Sequence, residues 1–289
     1  MSLGLPDSTP RFLGVIAAYF GLQVVLRLTL GSSLELDEAE QMVLGQRLQA
    51  GYTGQPPLYT WLQIGFFAIF GQGVLALALL KNLLLFLTYA GTYFAARTLG
   101  LHGALAAAAA LSLLLLTDIG WESQRDLTHS VLVTSIAALT LWLGCVMVAG
   151  LPQPRHYLLL GLLMGLGTLS KLNYLFFLAA LLFALFSIDR RLILRPAFGL
   201  SVVLAAALLS PYATWVSEAP VVATSSLAKL DTAGPGLGDI APSLATLAGA
   251  LAQFCVLFVV LFLALVRVWP RGWSPLRGGG RAAPTLLLL

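Results

Sequence analysis

Residues 156–188 read HYLLLGLLMGLGTLSKLNYLFFLAALLFALFSI and contain almost no charge. One transmembrane helix needs roughly 20 apolar residues to cross the hydrocarbon core, so this run is too long for a single crossing. Lys171 and Asn173 lie at its middle. The run therefore predicts two membrane-spanning helices joined by a tight polar corner.

The composition of the whole chain also indicates a membrane protein. Of the 289 residues, 59% are hydrophobic and only 10% are charged, whereas soluble domains carry roughly 25% charged residues. These values exclude a soluble globular enzyme, a disordered chain and a disulfide scaffold. The net charge of +4 comes from basic residues scattered between apolar runs, which is typical of membrane topology signals and not of nucleic-acid binding.

The remaining apolar runs bring the predicted number of transmembrane helices to about eight. Residues 58–71 are also apolar, but their helix would be roughly 21 Å long, shorter than a hydrocarbon core of ~30 Å. We therefore predict a short half-inserted helix there. The predicted crossings are 12–30, 74–96, 103–117, 127–149, the two halves of 156–188, 196–217 and 243–266.

The fold class is thus an all-α polytopic membrane protein with an outer loop at 31–57 that carries an amphipathic helix. Residues 1–269 form the predicted transmembrane domain, and residues 270–289 a basic, low-complexity tail. Cytoplasmic loops are enriched in Lys and Arg, and this rule places both termini in the cytoplasm. A full crossing at 58–71 would destroy that asymmetry. The predicted location is a bacterial inner membrane.

Three polar clusters are expected at the outer face, and such groups near a membrane usually mark function. A carboxylate can act as a general base there, and a lysine can hold a lipid phosphate. The clusters predict chemistry on a phosphate-bearing membrane lipid. They consist of Glu35, Asp37, Glu38 and Glu40, before an amphipathic stretch at 38–50; of Asp118, Glu122, Arg125, Asp126 and His129; and of Lys171 with Asn173.

Each cluster also has a purely structural interpretation. Arg125 could pair locally with Glu122, and Lys171 could extend its ammonium group to the lipid headgroups. Asp126 and His129 have the i,i+3 spacing of two metal ligands, which are too few to predict a metal site. We predict no metal ligands and leave dependence on a divalent metal open. Small residues at 161, 165 and 167 predict close helix packing.

Three segments resemble the GT-C glycosyltransferases, and among them family 39, the protein O-mannosyltransferase and aminoarabinose transferase relatives. The first outer loop of that family matches LELDEAEQMVLGQRLQAGYTGQPPLYTWL (34–62), with an Asp-Glu pair and a Pro-Pro-Leu-Tyr start to an aromatic helix. The second loop matches WESQRDLTHSVL (121–132). A Gly-rich helix that ends in a Ser-Lys pair matches GLLMGLGTLSKLNYLFFL (161–178).

The resemblance implies transfer of a sugar from a polyprenyl phosphate to a protein, glycolipid or polymer acceptor at the outer face. By the resemblance, Asp37 is the general base and Asp126 is a second catalytic carboxylate. Lys171 binds the lipid phosphate, with Arg125, Gln55 and Lys81 as further candidates. Many relatives have a lysine where this chain has Gln55, so that contact is either lost or moved to Lys171 or Arg125. The expected acceptor- or donor-orienting residues are Glu38, Tyr59, Glu122 and His129.

Two alternative functions remain open at this point. Relatives are usually longer, so the chain could be a C-terminally truncated, non-catalytic protein that binds lipid phosphate. A multi-helix transporter is the other alternative. Transporters often carry their charges near the membrane midplane, whereas the clusters here are predicted at one face.

Overall fold

A computed structural model describes residues 9–52, 54–150, 152–223, 225, 242, 244–249, 251–252 and 259–260. The regular structure of these residues is helical, which confirms the all-α class. The helices are α1 (Thr9–Thr29), α2 (Leu36–Leu44), α3 (Leu58–Phe70), α4 (Val74–Thr98), α5 (Gly103–Leu111), α6 (Ser123–Arg125), α7 (His129–Ala149), α8 (Pro154–Ser170), α9 (Tyr174–Ile188), α10 (Arg191–Leu194), α11 (Pro196–Glu218) and α12 (Pro220–Ala223).

Four of the described helices are long and apolar enough to cross a membrane, namely α1, α4, α7 and α11. The count is five if the bent segment 103–125 is one span. The predicted corner in 156–188 is confirmed, because α8 ends at Ser170 and α9 begins at Tyr174. The predicted crossing at 243–266 lies mostly outside the described residues, and the predicted tail at 270–289 lies wholly outside them.

Helix α4 lies at the centre of the bundle and has more buried residues than any other described helix. Helix α1 packs on it through a narrow seam of Phe12, Ile16, Phe20 and Val24, one residue per turn. The Phe12 ring stacks on Tyr93 of α4 with centroids 4.4 Å apart. The rest of α1 is largely exposed, as expected for a helix that faces lipid on its other sides.

The predicted close packing at the glycines of α8 is confirmed. A Cβ atom at Gly161 would lie 2.6 Å from the backbone oxygen of Ser201 in α11, and one at Gly165 would lie 2.8 Å from Leu208. Helices in a membrane associate mainly through such close backbone approach, since lipid offers no hydrophobic driving force between them. These glycines therefore fix α11 against α8.

The segment predicted as one crossing at 103–117 is instead broken. Helix α5 tightens into a 3₁₀ turn at Ser112–Leu115, and the following helical segment Asp118–Arg125 is bent from it by 83°. Gly120 donates its N–H to the Leu116 carbonyl at 2.7 Å, and its missing side chain leaves room for the Leu114 carbonyl. The chain can fold back here because Gly120 has no Cβ, which the apolar pattern alone did not indicate.

Helices α2 and α3 lie together at one end of the bundle. Near the start of α3, Thr60 donates a hydrogen bond to the Gln41 side chain of α2 at 2.9 Å; just beyond its end, Gln72 donates one to the Met42 carbonyl at 2.9 Å. Because both ends of α3 contact α2, this short helix does not cross the bundle.

The predicted bounds of the amphipathic stretch were wrong. Helix α2 spans Leu36–Leu44 instead of 38–50, since Glu35 and Glu38 cap its first turn. Its buried side chains are the polar Glu38 and Gln41, whereas Leu48 is exposed.

Candidate active site

The two predicted catalytic carboxylates meet at the end of the bundle that carries α2. The backbone N–H of Asp37 donates to Asp126 Oδ1 at 3.0 Å. Thr128 donates both its backbone N–H and its hydroxyl to Asp37 Oδ2, each at 3.1 Å. Asp126 therefore holds the start of α2, and Thr128 fixes the orientation of the Asp37 carboxylate. In the part of the chain that the structure describes, Asp37 Oδ1 has no hydrogen-bond partner.

Lys171 reaches the same region from the corner between α8 and α9. Its Nζ donates to Ser130 Oγ at 2.8 Å, and Ser130 lies two residues after the Thr128 that binds Asp37. His129, between Thr128 and Ser130 in the sequence, has a buried side chain. Residues 128–130 at the start of α7 thus connect the general-base candidate to the phosphate-binding candidate.

Asp37 and Lys171 both line a cavity of about 770 Å³. This volume falls within the usual range for small-molecule sites, roughly 300–1,000 Å³. The cavity walls also include Glu40 from α2, Gln55 from the loop before α3, and His129. Of the predicted site residues, Asp37, Gln55, His129 and Lys171 therefore lie at the cavity.

Glu38 has a different environment, although it is the neighbour of Asp37. Its side chain is 2% exposed and forms ion pairs with Arg27 at 2.7 Å and with Lys81 at 3.4 Å. Lys81 also donates to the Asp126 carbonyl at 3.2 Å. Neither Glu38 nor Lys81 is among the cavity-lining residues, so their contacts are with other parts of the protein and not with the cavity.

The two cations control the ionisation of Glu38. Burial alone would raise the pKa of this carboxyl group, but the hydrogen bond from Arg27 and the positive charges of Lys81 and Arg27 lower it below the ordinary value of 4.5. Glu38 is therefore a buried carboxylate, which a folded protein tolerates only when opposite charges compensate it. The cluster Arg27–Glu38–Lys81, in which Glu38 and Lys81 are buried and Arg27 is partly exposed, joins α1, α2 and α4.

The other predicted residues lie beside the cavity or on the surface. Tyr59 is fully buried, with its ring centroid 5.5 Å from that of His129. Arg125 forms the local ion pair with Glu122, at 3.3 Å, and both side chains are substantially exposed. Neither Tyr59 nor this pair lines the cavity. Among the described residues, the structure shows no group of three or more His, Cys, Asp or Glu side chains placed to hold a metal ion.

Several residues of this region were not predicted from the sequence. Arg27 carries a visible signal, since a charge near the end of an apolar helix is costly and usually has a partner. Thr128 and Ser130 carry none, because hydroxyl side chains are common in transmembrane helices. Gln63 shows that the region is polar beneath its surface: both its amide atoms are buried and have no partner among the described residues.

Residues 54–215 match the dolichyl-phosphate-mannose-protein mannosyltransferase family. The chain is 37% identical over 281 residues to the lipopolysaccharide core galacturonosyltransferase RgtB of Rhizobium johnstonii, a match that covers 94% of this chain and 56% of that protein. It is 36% identical over 264 residues to the lipopolysaccharide core galacturonosyltransferase RgtA of the same organism, covering 88% and 52%. The chain thus spans about half the length of these relatives.

The fold is similar to the crystal structure of ArnT from Cupriavidus metallidurans bound to undecaprenyl phosphate. The TM-score is 0.56 at 20% identity, and the match covers 73% of this chain and 41% of that one. At this identity the similarity shows a common fold.

Proposed function

Since this chain belongs to the dolichyl-phosphate-mannose-protein mannosyltransferase family, within the GT-C glycosyltransferases, we propose that it transfers a sugar from a polyprenyl phosphate to an acceptor. The names of its relatives favour a galacturonic-acid-type sugar and a lipopolysaccharide core acceptor. The undecaprenyl phosphate bound to ArnT favours a polyprenyl phosphate as the carrier. The reaction class rests on the family, and the residue roles rest on the geometry of the cavity.

One observation carries the assignment of roles: a carboxylate and an ammonium group line the same cavity and are held by two residues, two positions apart, at the start of one helix. Asp37 is held by Thr128, and Lys171 by Ser130. Glycosyl transfer from a lipid phosphate needs a base on the acceptor side and a cation on the leaving-group side. The cavity supplies both groups at the end of the bundle, where the phosphate of a membrane lipid and the polar sugars of an acceptor can meet.

In the proposed reaction, an acceptor hydroxyl attacks the anomeric carbon of the donor sugar. Asp37 Oδ1 takes the proton of that hydroxyl while the bond between the anomeric carbon and the phosphate oxygen breaks. Attack from the side opposite the phosphate inverts the anomeric configuration. Lys171 stabilises the negative charge that develops on the departing polyprenyl phosphate.

Asp126 serves as a positioning residue in this proposal, because it binds the backbone of Asp37. His129, whose side chain lines the cavity together with Lys171, orients the donor or acceptor. Lys81 serves as a counter-ion of Glu38 and not as a phosphate ligand. Gln55 lines the cavity and remains a candidate contact of the phosphate.

The distribution of charge supports an outer-face location for the cavity. At the opposite end of the bundle, the loops and helix ends carry many arginines, as the cytoplasmic side does under the positive-inside rule. Those in the described residues are Arg11, Arg97, Arg155, Arg190, Arg191 and Arg195. We therefore propose that the cavity opens away from the cytoplasm.

Native mass spectrometry of the protein in mild detergent, with transfer assays on the same samples, tests this function. We expect the wild type to bind undecaprenyl phosphate and to transfer galacturonic acid from its undecaprenyl phosphate adduct to a lipopolysaccharide core acceptor. Lys171→Ala should lower lipid binding by about tenfold, since a charge-assisted contact is lost. The matched control is Arg125→Ala, which removes a nearby exposed cation outside the cavity.

Each outcome separates this function from its alternatives. Lipid binding without transfer to any acceptor would identify a non-catalytic, lipid-binding relative. Equal losses in Lys171→Ala and Arg125→Ala would contradict the phosphate site at Lys171. Absence of lipid binding in a folded, monodisperse wild type would contradict the polyprenyl phosphate donor.

A further inference from the structure

A second cavity, of about 470 Å³, lies between α7 and α8 at the end of the bundle opposite the candidate active site. Its walls are apolar and include Trp142 and Leu143 of α7 and Leu159 and Leu163 of α8. Leu159 is 47% exposed, so the cavity is a groove that opens to the surroundings of the bundle. In an integral membrane protein, such a surface faces the lipid.

One end of this groove is basic. Arg155 and His156, in the first turn of α8, line it together with the apolar residues. The first turn of α8 contains no acidic residue. Arg195 lies nearby, since its Nη1 donates to the Pro152 carbonyl at 3.4 Å. The groove therefore combines an apolar channel with positive charge at its mouth.

The side chain of His156 is fixed in a way that suits an anion. Its Nδ1 accepts the backbone N–H of Gln153 at 3.1 Å. A neutral imidazole whose Nδ1 is an acceptor carries its proton on Nε2, so Nε2–H is the donor that remains. The positive end of the α8 helix dipole lies at the same mouth, and Arg155 adds a further positive charge there. An anion at this mouth would interact favourably with His156 Nε2–H, with Arg155 and with the N-terminus of α8.

The length of the groove matches one leaflet of a bilayer. From Arg155 to Leu163, α8 rises about 12 Å, and half of a ~30 Å hydrocarbon core is about 15 Å. We propose that this groove binds an anionic phospholipid, with its phosphate at Arg155 and His156 and one acyl chain along the apolar walls. This site is separate from the candidate active site and does not depend on the proposed transferase function.

Competition between two lipids that differ only in headgroup charge tests the proposal. Phosphatidylglycerol and phosphatidylcholine with identical acyl chains are added in equal amounts to the detergent-purified protein, and bound lipid is counted by native mass spectrometry. The Lys171→Ala background removes the proposed phosphate contact at the active site. We expect phosphatidylglycerol to bind about tenfold better than phosphatidylcholine.

Two variants and a matched control locate the binding. Arg155→Glu should abolish the preference for phosphatidylglycerol, and Leu159→Trp, which fills the groove, should reduce binding of both lipids. Arg191→Glu reverses a charge at the same end of the bundle but outside the groove, and it should leave the preference intact. Equal binding of the two lipids to the parent protein, or an equal effect of Arg155→Glu and Arg191→Glu, would overturn the proposal.

Discussion

Asp37 and Glu38 are adjacent carboxylates on the first turn of α2, yet they belong to two different regions. Asp37 lines the open cavity with Lys171. Glu38 is buried in the cluster Arg27–Glu38–Lys81, where it forms an ion pair with each of the two cations. Successive residues of a helix are rotated by about 100°, so neighbours do not face the same way. One turn of helix therefore carries both a candidate catalytic group, Asp37, and a group that stabilises the fold, Glu38.

The difference shows that charge near a membrane has two uses, and burial distinguishes them. A charge that is completely enclosed must be compensated by the protein itself, which leaves nothing for a substrate. A charge in a cavity retains capacity for a ligand, as Asp37 does through Oδ1. The Asp-Glu pair of the sequence motif thus divides into a general-base candidate and a structural anchor.

The largest expected effect comes from Asp37→Asn. We expect the rate of sugar transfer to fall by about 10²–10⁴-fold, the usual contribution of a general base. The amide oxygen of Asn can still accept the hydrogen bonds from Thr128, so the thermal unfolding temperature should stay near the wild-type value. Transfer assays and thermal unfolding in the same detergent measure both. Undiminished transfer would contradict the assignment of Asp37 as the base.

Glu38→Ala should affect mainly folding. It leaves Lys81, which is 2% exposed, without its counter-ion, and breaking a buried pair in this way costs about 3–5 kcal/mol in the free energy of unfolding. Denaturant titration in detergent measures the loss.

The double variant Glu38→Leu with Lys81→Met serves as the control for Glu38→Ala. It removes both charges and should recover much of the stability, since apolar pairs often replace buried ion pairs without loss. If Glu38→Ala left stability unchanged but abolished transfer, Glu38 would belong to the site and not to the anchor.

The pH dependence of stability should carry a contribution from the same cluster. Because the pKa of folded Glu38 lies below its ordinary value of 4.5, its stabilising effect is complete above about pH 4.5 and is lost as the pH falls through the lowered pKa. Thermal unfolding between pH 3 and pH 7 should therefore show a steeper acid loss in the wild type than in Glu38→Gln. Parallel curves for the two proteins would contradict this role of Glu38.

The smallest effect is expected at the exposed pair of Glu122 and Arg125. Surface ion pairs contribute roughly 0–1 kcal/mol, and these side chains are 32% and 58% exposed. Glu122→Gln should therefore change neither unfolding nor transfer by a measurable amount. A large loss of transfer in Glu122→Gln would return this residue to the acceptor-orienting group predicted from the sequence.

Much of the fold could be predicted from the sequence because membrane insertion depends on local properties. The corner at Lys171 and Asn173 followed from a run too long for one helix and too polar at its centre. The close packing at Gly161 and Gly165 followed from small residues at helical spacing. The break after Leu115 did not, since it depends on how closely the backbone at Gly120 can approach Leu114, which hydropathy does not describe.

The candidate site was predicted as a set of residues but not as an arrangement. The sequence brought Asp37, Asp126 and Lys171 to one membrane face, and the structure confirms that they lie at one end of the bundle. The three residues have different contacts, however: Asp126 accepts a hydrogen bond from the backbone of Asp37, and Lys171 donates one to Ser130. Side-chain pairs between residues far apart in the chain depend on packing and leave no periodic signal.

By itself, the sequence determined that this is an all-α membrane protein, where most of its helices begin and end, and which polar residues share one end. These properties follow from the length and hydropathy of single segments. Only the tertiary structure decided that Glu38 and Lys81 neutralise each other in the interior while Asp37 and Lys171 line a cavity. The physical reason is that burial and ion pairing are set jointly by α1, α2, α4 and α7, and no single segment contains that information.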